Sequence, residues 1–360
     1  MFLLRPLLVR LLRLAVLFVV LAVLAAATGC NRASNLTKEV AYVNAPQVFL
    51  RDRLAPIFEK KGVVTLGEKV YVLEHKPRFS RVRDERGEEG WIADRYLIPS
   101  ETYEQFEKLA TENAHRPVQA RGTARNLLNL HLTPGRDTEH LFQLKEGDKL
   151  DILARGLAEK PAPLQPAPKI KKTAAGAKEE KEESSGPAME DWYLVRGGNM
   201  QHVGWVLARM VDIDIPLEIA EYAEGQRIVS DFVLSEVQDG DKKVPQYLVM
   251  LTDNKDGLPW DFNQIRVFTW NTKRHRYETA YREHNLVGVF PVSTGTGDFG
   301  KEGMLPTFTI RVKNDDGTTS DRQYRMIGPI VRRITTPQEQ QKEAAERAAH
   351  RAKEPKRHSK

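Results

Sequence analysis

Side chains able to do covalent chemistry are sparse in this chain of 360 residues, and their spacing argues against an enzyme. A thiol nucleophile requires a cysteine, and the single one, Cys30, stands directly behind an apolar N-terminal run. A protease-type zinc site needs two histidines on one helical face with a glutamate. His115, His131, His140, His202, His275 and His284 show no such spacing. The Gly-x-Ser-x-Gly string of a serine nucleophile elbow is absent. Gly295-Thr296-Gly297-Asp298-Phe299-Gly300 has the glycines of a phosphate loop. A helix should follow to aim its N–H groups at the phosphate; Gly303, Pro306 and the strand-like Phe308-Thr309-Ile310 follow instead, so the segment reads as a flexible loop. Asp253 to Gly257 reads as a plain turn, because Lys255 occupies a position where a calcium loop needs an oxygen ligand. The expectation is a chain that is not an enzyme, with no catalytic residue, no metal ligand and no cofactor.

The elements that must position everything else begin with the first thirty residues. Arg5, Arg10 and Arg13 precede an apolar run from Leu14 to Ala26, and then Ala27-Thr28-Gly29-Cys30. The run is short for a bilayer-spanning helix, which needs roughly 20 residues, and the order is that of a secretory signal ending in a lipidation site. It resembles a bacterial lipoprotein signal, although Ala27 stands where that family usually has Leu. The resemblance implies cleavage before Cys30, acylation of Cys30, and a protein held on the membrane of a bacterial cell envelope, facing the periplasm or the exterior. An acylated Cys30 would be lost to thiol catalysis. Removing three arginines and no acids takes the net charge from +6 to +3, so the basic balance is no argument for nucleic acid. No cysteine would remain for an intramolecular disulfide.

From Ala41 onward short β-branched and aromatic runs alternate with turn residues, as in small all-β domains. Residues 48–73 can be laid on residues 128–153 without a gap, pairing Leu50 with Leu130, Gly67 with Gly147, Lys69 with Lys149 and Leu73 with Leu153. Both copies then reach an aromatic-x-x-Val-Arg run, Phe79 to Arg83 and Trp192 to Arg196. Both end on Gly-Trp, at Gly90-Trp91-Ile92 and Gly204-Trp205-Val206. A repeat of this kind is the strongest organising signal in the chain. Gly67 and Gly147 suit sharp turns that need positive φ, and Gly90 and Gly204 suit a close approach by a neighbouring strand.

Leu128-Asn129-Leu130, Pro134-Gly135, Leu144 to Leu150 and Gly204-Trp205-Val206 together resemble the bacterial SH3 family; the first copy matches less well, with Phe49 in place of the expected Asn. The resemblance implies two barrels of five to six strands that bind peptides, often those of the cell wall. Tyr71, Phe79, Trp91, Trp192, Tyr193 and Trp205 are the candidate ligand-binding residues, with Arg83 and Arg196 meeting acidic groups. Each aromatic could equally be core, since a small domain depends on a few large rings for burial.

The expected organisation is a signal peptide (1–29), a tether (30–40), a first SH3-like barrel (41–98), a linker helix (99–116), a second barrel (117–215) with a disordered Pro- and charge-rich insertion (156–190), a C-terminal all-β domain (216–335) and a charged tail (336–360). In the linker, Tyr103, Phe106, Leu109 and Ala110 fall at helical spacing. The fold class is mainly β: two small SH3-like barrels, then a β-sandwich or barrel, with short connecting helices. The expected function is membrane-anchored binding of cell-wall peptide or peptidoglycan; the alternative is an assembly factor that docks other envelope proteins. Nucleic acid is not an expected partner.

Overall fold

The computed structural model describes residues 39–161, 187–197 and 202–335. Cys30 with its signal, the middle of the insertion and the charged tail lie outside the described residues. The described protein is mainly β, and the chain divides after Ser100 into two compact units.

The first unit is built from β1 (Glu39–Val43), β2 (Gln47–Arg51), β3 (Lys60–Thr65), β4 (Lys69–Lys76), β5 (Phe79–Asp84), β6 (Glu89–Ala93) and β7 (Leu97–Pro99). These pair antiparallel in the order β3-β2-β6-β5-β4-β1-β7. One face carries Val43, Leu50, Val64, Val70, Val82 and Ile92 into a closed apolar core. That follows from the side-chain alternation of strands, which puts every second residue on the same face.

The second unit opens on α1 (Ser100–Glu112) and then repeats the first strand for strand: β8 (Ala120–Ala124), β9 (Leu128–His131), β10 (His140–Leu144), β11 (Lys149–Glu159), β12 (Met189–Gly197), β13 (His202–Leu207) and β14 (Val211–Ile213). Their order, β10-β9-β13-β12-β11-β8-β14, is that of the first unit. The internal repeat read from the sequence is therefore a repeat of seven strands, against the five to six that the resemblance implies. Details recur as well. Gly67 and Gly147 take φ of 77° and 85°, and their N–H groups donate to Val43 O (2.7 Å) and Ala124 O (2.9 Å). Both copies carry a register shift at the same place, between Val72 and Glu74 and between Ile152 and Ala154.

The insertion is narrower than expected. Gly156 pairs with Trp192, Leu157 with Asp191, Ala158 with Glu190 and Glu159 with Met189, so 156–159 and 189–190 are strand. Gly, Ala and Glu have weak strand propensity, but here pairing with β12 decides, whose Glu190 and Asp191 are held by Arg136 and Arg155.

α1 has the amphipathic face its spacing predicts. Phe106 is buried edge-on to Phe142, with ring centroids 6.0 Å apart. Leu109 and Ala110, with Val118, cover Leu153, Ala154, Leu194 and Val203. Arg196 donates to the carbonyls of Asn113 and Arg116, both at 3.1 Å, satisfying acceptors at the end of the helix. Its expected role toward an acidic ligand is thereby corrected to one of holding α1.

After α2 (Leu217–Ala220) a short 3-10 turn ends at Glu224 and Gly225, both at positive φ. Two meanders follow. β15 (Arg227–Asp239), β16 (Lys242–Thr252), β17 (Gln264–Asn271) and β18 (Arg276–Glu283) form one four-stranded sheet. β19 (Gly288–Asp298), β20 (Met304–Lys313), β21 (Thr319–Ile327) and β22 (Ile330–Ile334) form the other. Leu248, Met250 and Val267 of the first meet Phe308, Ile310 and Tyr324 of the second in one core, which is the arrangement of a sandwich. The glycine segment expected to be a loop is corrected here: Gly295 and Gly297 lie within β19, opposite Thr307 and Leu305.

Candidate functional site

The first repeat turns one face of β4, β5, β6 and β2 outward. Across it the register sets Glu74 beside Arg81, Arg81 beside Trp91, and Trp91 beside Arg51. A parallel row holds Lys76, Phe79 and Ala93, and another Tyr71, Arg83 and Glu89. Aromatic rings and cations interleave on this face. The Arg51 guanidinium sits 4.3 Å from the Phe58 centroid and 5.4 Å from that of Phe79. Lys76 Nζ lies 4.8 Å from the Trp91 ring and Lys69 Nζ 5.3 Å from Tyr71. Such contacts fix a cation over an aromatic face, and Lys76 Nζ also pairs with Glu74 at 3.4 Å, an exposed pair that a ligand carboxylate can replace. Glu89 accepts from Arg83 (2.9 Å) and Arg81 (2.8 Å), and Arg83 above all holds its carboxyl below the usual range.

The same face of the second repeat has a different character. Ala154, Leu194, Trp205 and His131 take the positions of Glu74, Arg81, Trp91 and Arg51, and α1 covers the apolar part. Trp205 lies flat enough on β11 that a Cβ at Gly156 would come within 2.7 Å of its ring. His131 meets Trp192 edge-on at 5.2 Å, and burial pushes its imidazole below the ordinary value.

The expected ligand residues thus separate. Tyr71 and Phe79 are half-buried on the open face, and Trp91 is 8% exposed beneath Lys76. Trp192 and Tyr193 are buried on opposite sides of the central strand β12, and burial pushes the Tyr193 hydroxyl up to about 12. Trp205 is half-buried beside the residues that α1 covers. Arg51, Phe58 and Lys76 join the face without having been singled out, because no local pattern links a residue of β2 to one after β4.

A second concavity lies within the second unit, a cleft of about 680 Å³ lined by Gln119, Arg121, Asp214, Ile215, Asp231 and Phe232 among others. One end is closed by Gln119, whose amide accepts from Val292 N (2.7 Å) and donates to Val292 O (3.4 Å). Burial, with Glu218 nearby, pushes the Asp231 carboxyl up to about 6 against the pull of Arg121. Among the described residues no group of three or more His, Cys, Asp or Glu is placed to hold a metal ion, and no helix is long and apolar enough to cross a membrane.

No family model and no curated protein matches the chain. Among solved structures it is similar to NlpC2 from Trichomonas vaginalis, at 11% identity and a TM-score of 0.17, covering 84% of this chain and 96% of that one. It is also similar to an NlpC/P60 family protein from Bacillus cereus, at 10% identity and a TM-score of 0.19, covering 83% and 95%. Both neighbours carry the NlpC name, and the expectation that this chain is not an enzyme is withdrawn. That expectation rested on missing short motifs, and a titratable group assembled by distant segments, such as Asp231 in the cleft, carries no motif. At these TM-scores no residue role is transferred.

Proposed function

We propose that the protein is an envelope lipoprotein, anchored through Cys30, whose first SH3-like repeat binds acidic cell-wall peptide on the β4-β5-β6-β2 face. The observation that carries the reading is the contrast between the repeats. One fold is used twice, and the face that is apolar and covered by α1 in the second copy is, in the first, lined with rings and exposed Lys76 and Arg81. Peptide carboxylates would meet Lys76, Arg81 and Arg51, while Phe58 and Phe79 supply apolar contact area. The signal-like N-terminus supports an envelope location.

The test is co-sedimentation of the chain lacking residues 1–30 with purified sacculi. Reversing two exposed charges, Lys76→Glu with Arg81→Glu, is expected to lower the bound fraction about tenfold at moderate salt, as loss of two charge-assisted contacts would. An unchanged bound fraction in the reversed variant would remove the proposal. The assembly-factor reading has its own observation, since Leu54 and Ile57 are exposed at 42% and 88% on the loop after β2. It predicts that Ile57→Ser, and not the charge reversal, disturbs partner capture.

A further inference from the structure

The cleft in the second unit is walled by three separated stretches, 118–121 leading into β8, 214–216 after β14, and 231–233 of β15. Its charged groups are unequally satisfied. Asp214 accepts from Thr123 Oγ1 (3.0 Å) and from Lys149 Nζ (2.9 Å). Arg121 is largely exposed and lies 3.8 Å from Asp151. Glu218, reaching over from α2, accepts from the Tyr247 hydroxyl at 2.8 Å. Asp231 alone of the carboxylates lining the cleft accepts no hydrogen bond and forms no ion pair among the described residues. Beside these polar groups the lining carries Ile215, Pro216 and Val233, the last 51% exposed.

We propose that this cleft binds a primary amine carried on an aliphatic stem, in the form of a lysine side chain of a peptide, with its ammonium group donating to Asp231. The stem would lie along Val233 and Ile215, on the same side of β15 as Asp231, as long amphipathic side chains do when an apolar wall leads to a charged end. An anionic ligand is disfavoured, because Glu218 adds negative charge beside Asp231, opposed by Arg121, while Asp214 is already paired with Lys149. The Asp231 carboxylate, half-buried and claimed by no donor of the protein, is open to one supplied by a ligand. The raised acidity constant of Asp231, about 6, is what such a group shows before its partner arrives. This inference concerns the second unit and does not rest on the first repeat.

The test is NMR titration of the chain lacking residues 1–30 with acetyl-Ala-Lys-Ala-amide, beside the norleucine peptide, which has the stem without the charge. Shift changes confined to 118–121, 214–216 and 231–233, and an affinity about tenfold higher for the lysine peptide, are expected. Asp231→Asn should remove that preference. Lysine stays charged between pH 5 and 7.5, so weaker binding at pH 5 than at 7.5 reports protonation of a carboxylate facing the ligand. Glu218, Asp214 and Tyr247 are the other titratable groups near Asp231, and Glu218→Gln should leave the lysine preference within about threefold. Equal affinity for the two peptides, or shifts at Trp91 and Phe79 in place of the cleft, would overturn the proposal, with no variant needed.

Discussion

Two aspartates in the second unit show how the environment of a carboxylate separates structure from function. Asp191 is almost wholly buried and fully satisfied: Arg155 donates at 2.7 Å, Arg227 at 3.1 Å and Gly257 N–H at 2.8 Å. Arg155 also reaches Trp260 O and Leu258 O, at 2.8 and 2.9 Å, so this network ties β11 to the sandwich. Removing one member of such a network strands the rest. Asp231 has no such donors, and its acidity constant moves up from 3.8 to about 6 through burial first and then Glu218. Between those two values the folded chain binds more protons than the unfolded one, so stability falls as pH rises through the window. The whole shift corresponds to about 3 kcal/mol, reduced to about 1–2 kcal/mol because the group is partly open to solvent. Asp231→Asn should therefore be more stable than the natural protein by about that amount at pH 8 and equal to it near pH 3.5. Urea unfolding at the two pH values checks this, and an equal difference at both would show that Asp231 does not titrate in the window.

Among the elements, the repeat was legible in the sequence because its signals are local. Gly67 and Gly147 recur where a turn needs positive φ, and Leu50 and Leu130 recur as inward positions of equivalent strands. Gly90 and Gly204 show the same economy of space. A Cβ at Gly90 would lie 2.7 Å from Leu50 Cβ, and one at Gly204 would lie 2.6 Å from Leu130 Cβ. Neither neighbour is the movable end of a flexible side chain, so Gly90→Ala and Gly204→Ala should each cost about 1–3 kcal/mol. Gly295→Ala is the control, since the added Cβ would meet only Thr307 Oγ1 at an ordinary 3.7 Å; it should stay within about 0.5 kcal/mol of the natural protein. Denaturant midpoints of the three variants measure the contrast. The illegible parts are the tertiary ones. Periodicity told that α1 has an apolar face, but not that it would cover β11 to β13. The cleft is assembled from stretches around residues 119, 215 and 232, and no spacing rule connects them. The missing helix after Gly295 and Gly297 excludes a phosphate loop but does not show a strand, and pairing to β20, which no local pattern carries, makes them part of β19.

At the scale of the molecule, α1 decides which copy of the repeated face is available. The helix belongs with the second unit, where Phe106 is 1% exposed against Phe142 and the neighbouring apolar residues cover Leu153, Ala154, Leu194 and Val203. A fragment spanning 100–335 keeps this cover and should unfold in one cooperative transition. A fragment spanning 117–335 loses Phe106 and Leu109, two large apolar side chains whose burial stabilises by about 1.5–3 kcal/mol each. It should be less stable by about 3–5 kcal/mol and should bind a hydrophobic dye or self-associate through the bared face. The bared face would still differ from that of the first repeat, since Ala154 and Leu194 replace Glu74 and Arg81. Exposure alone should therefore give the shortened fragment no affinity for sacculi. If 117–335 sedimented with sacculi as the whole chain does, the cations of the first repeat would not be what recognises the wall; if it matched 100–335 in stability, α1 would not be the cover that separates the two faces.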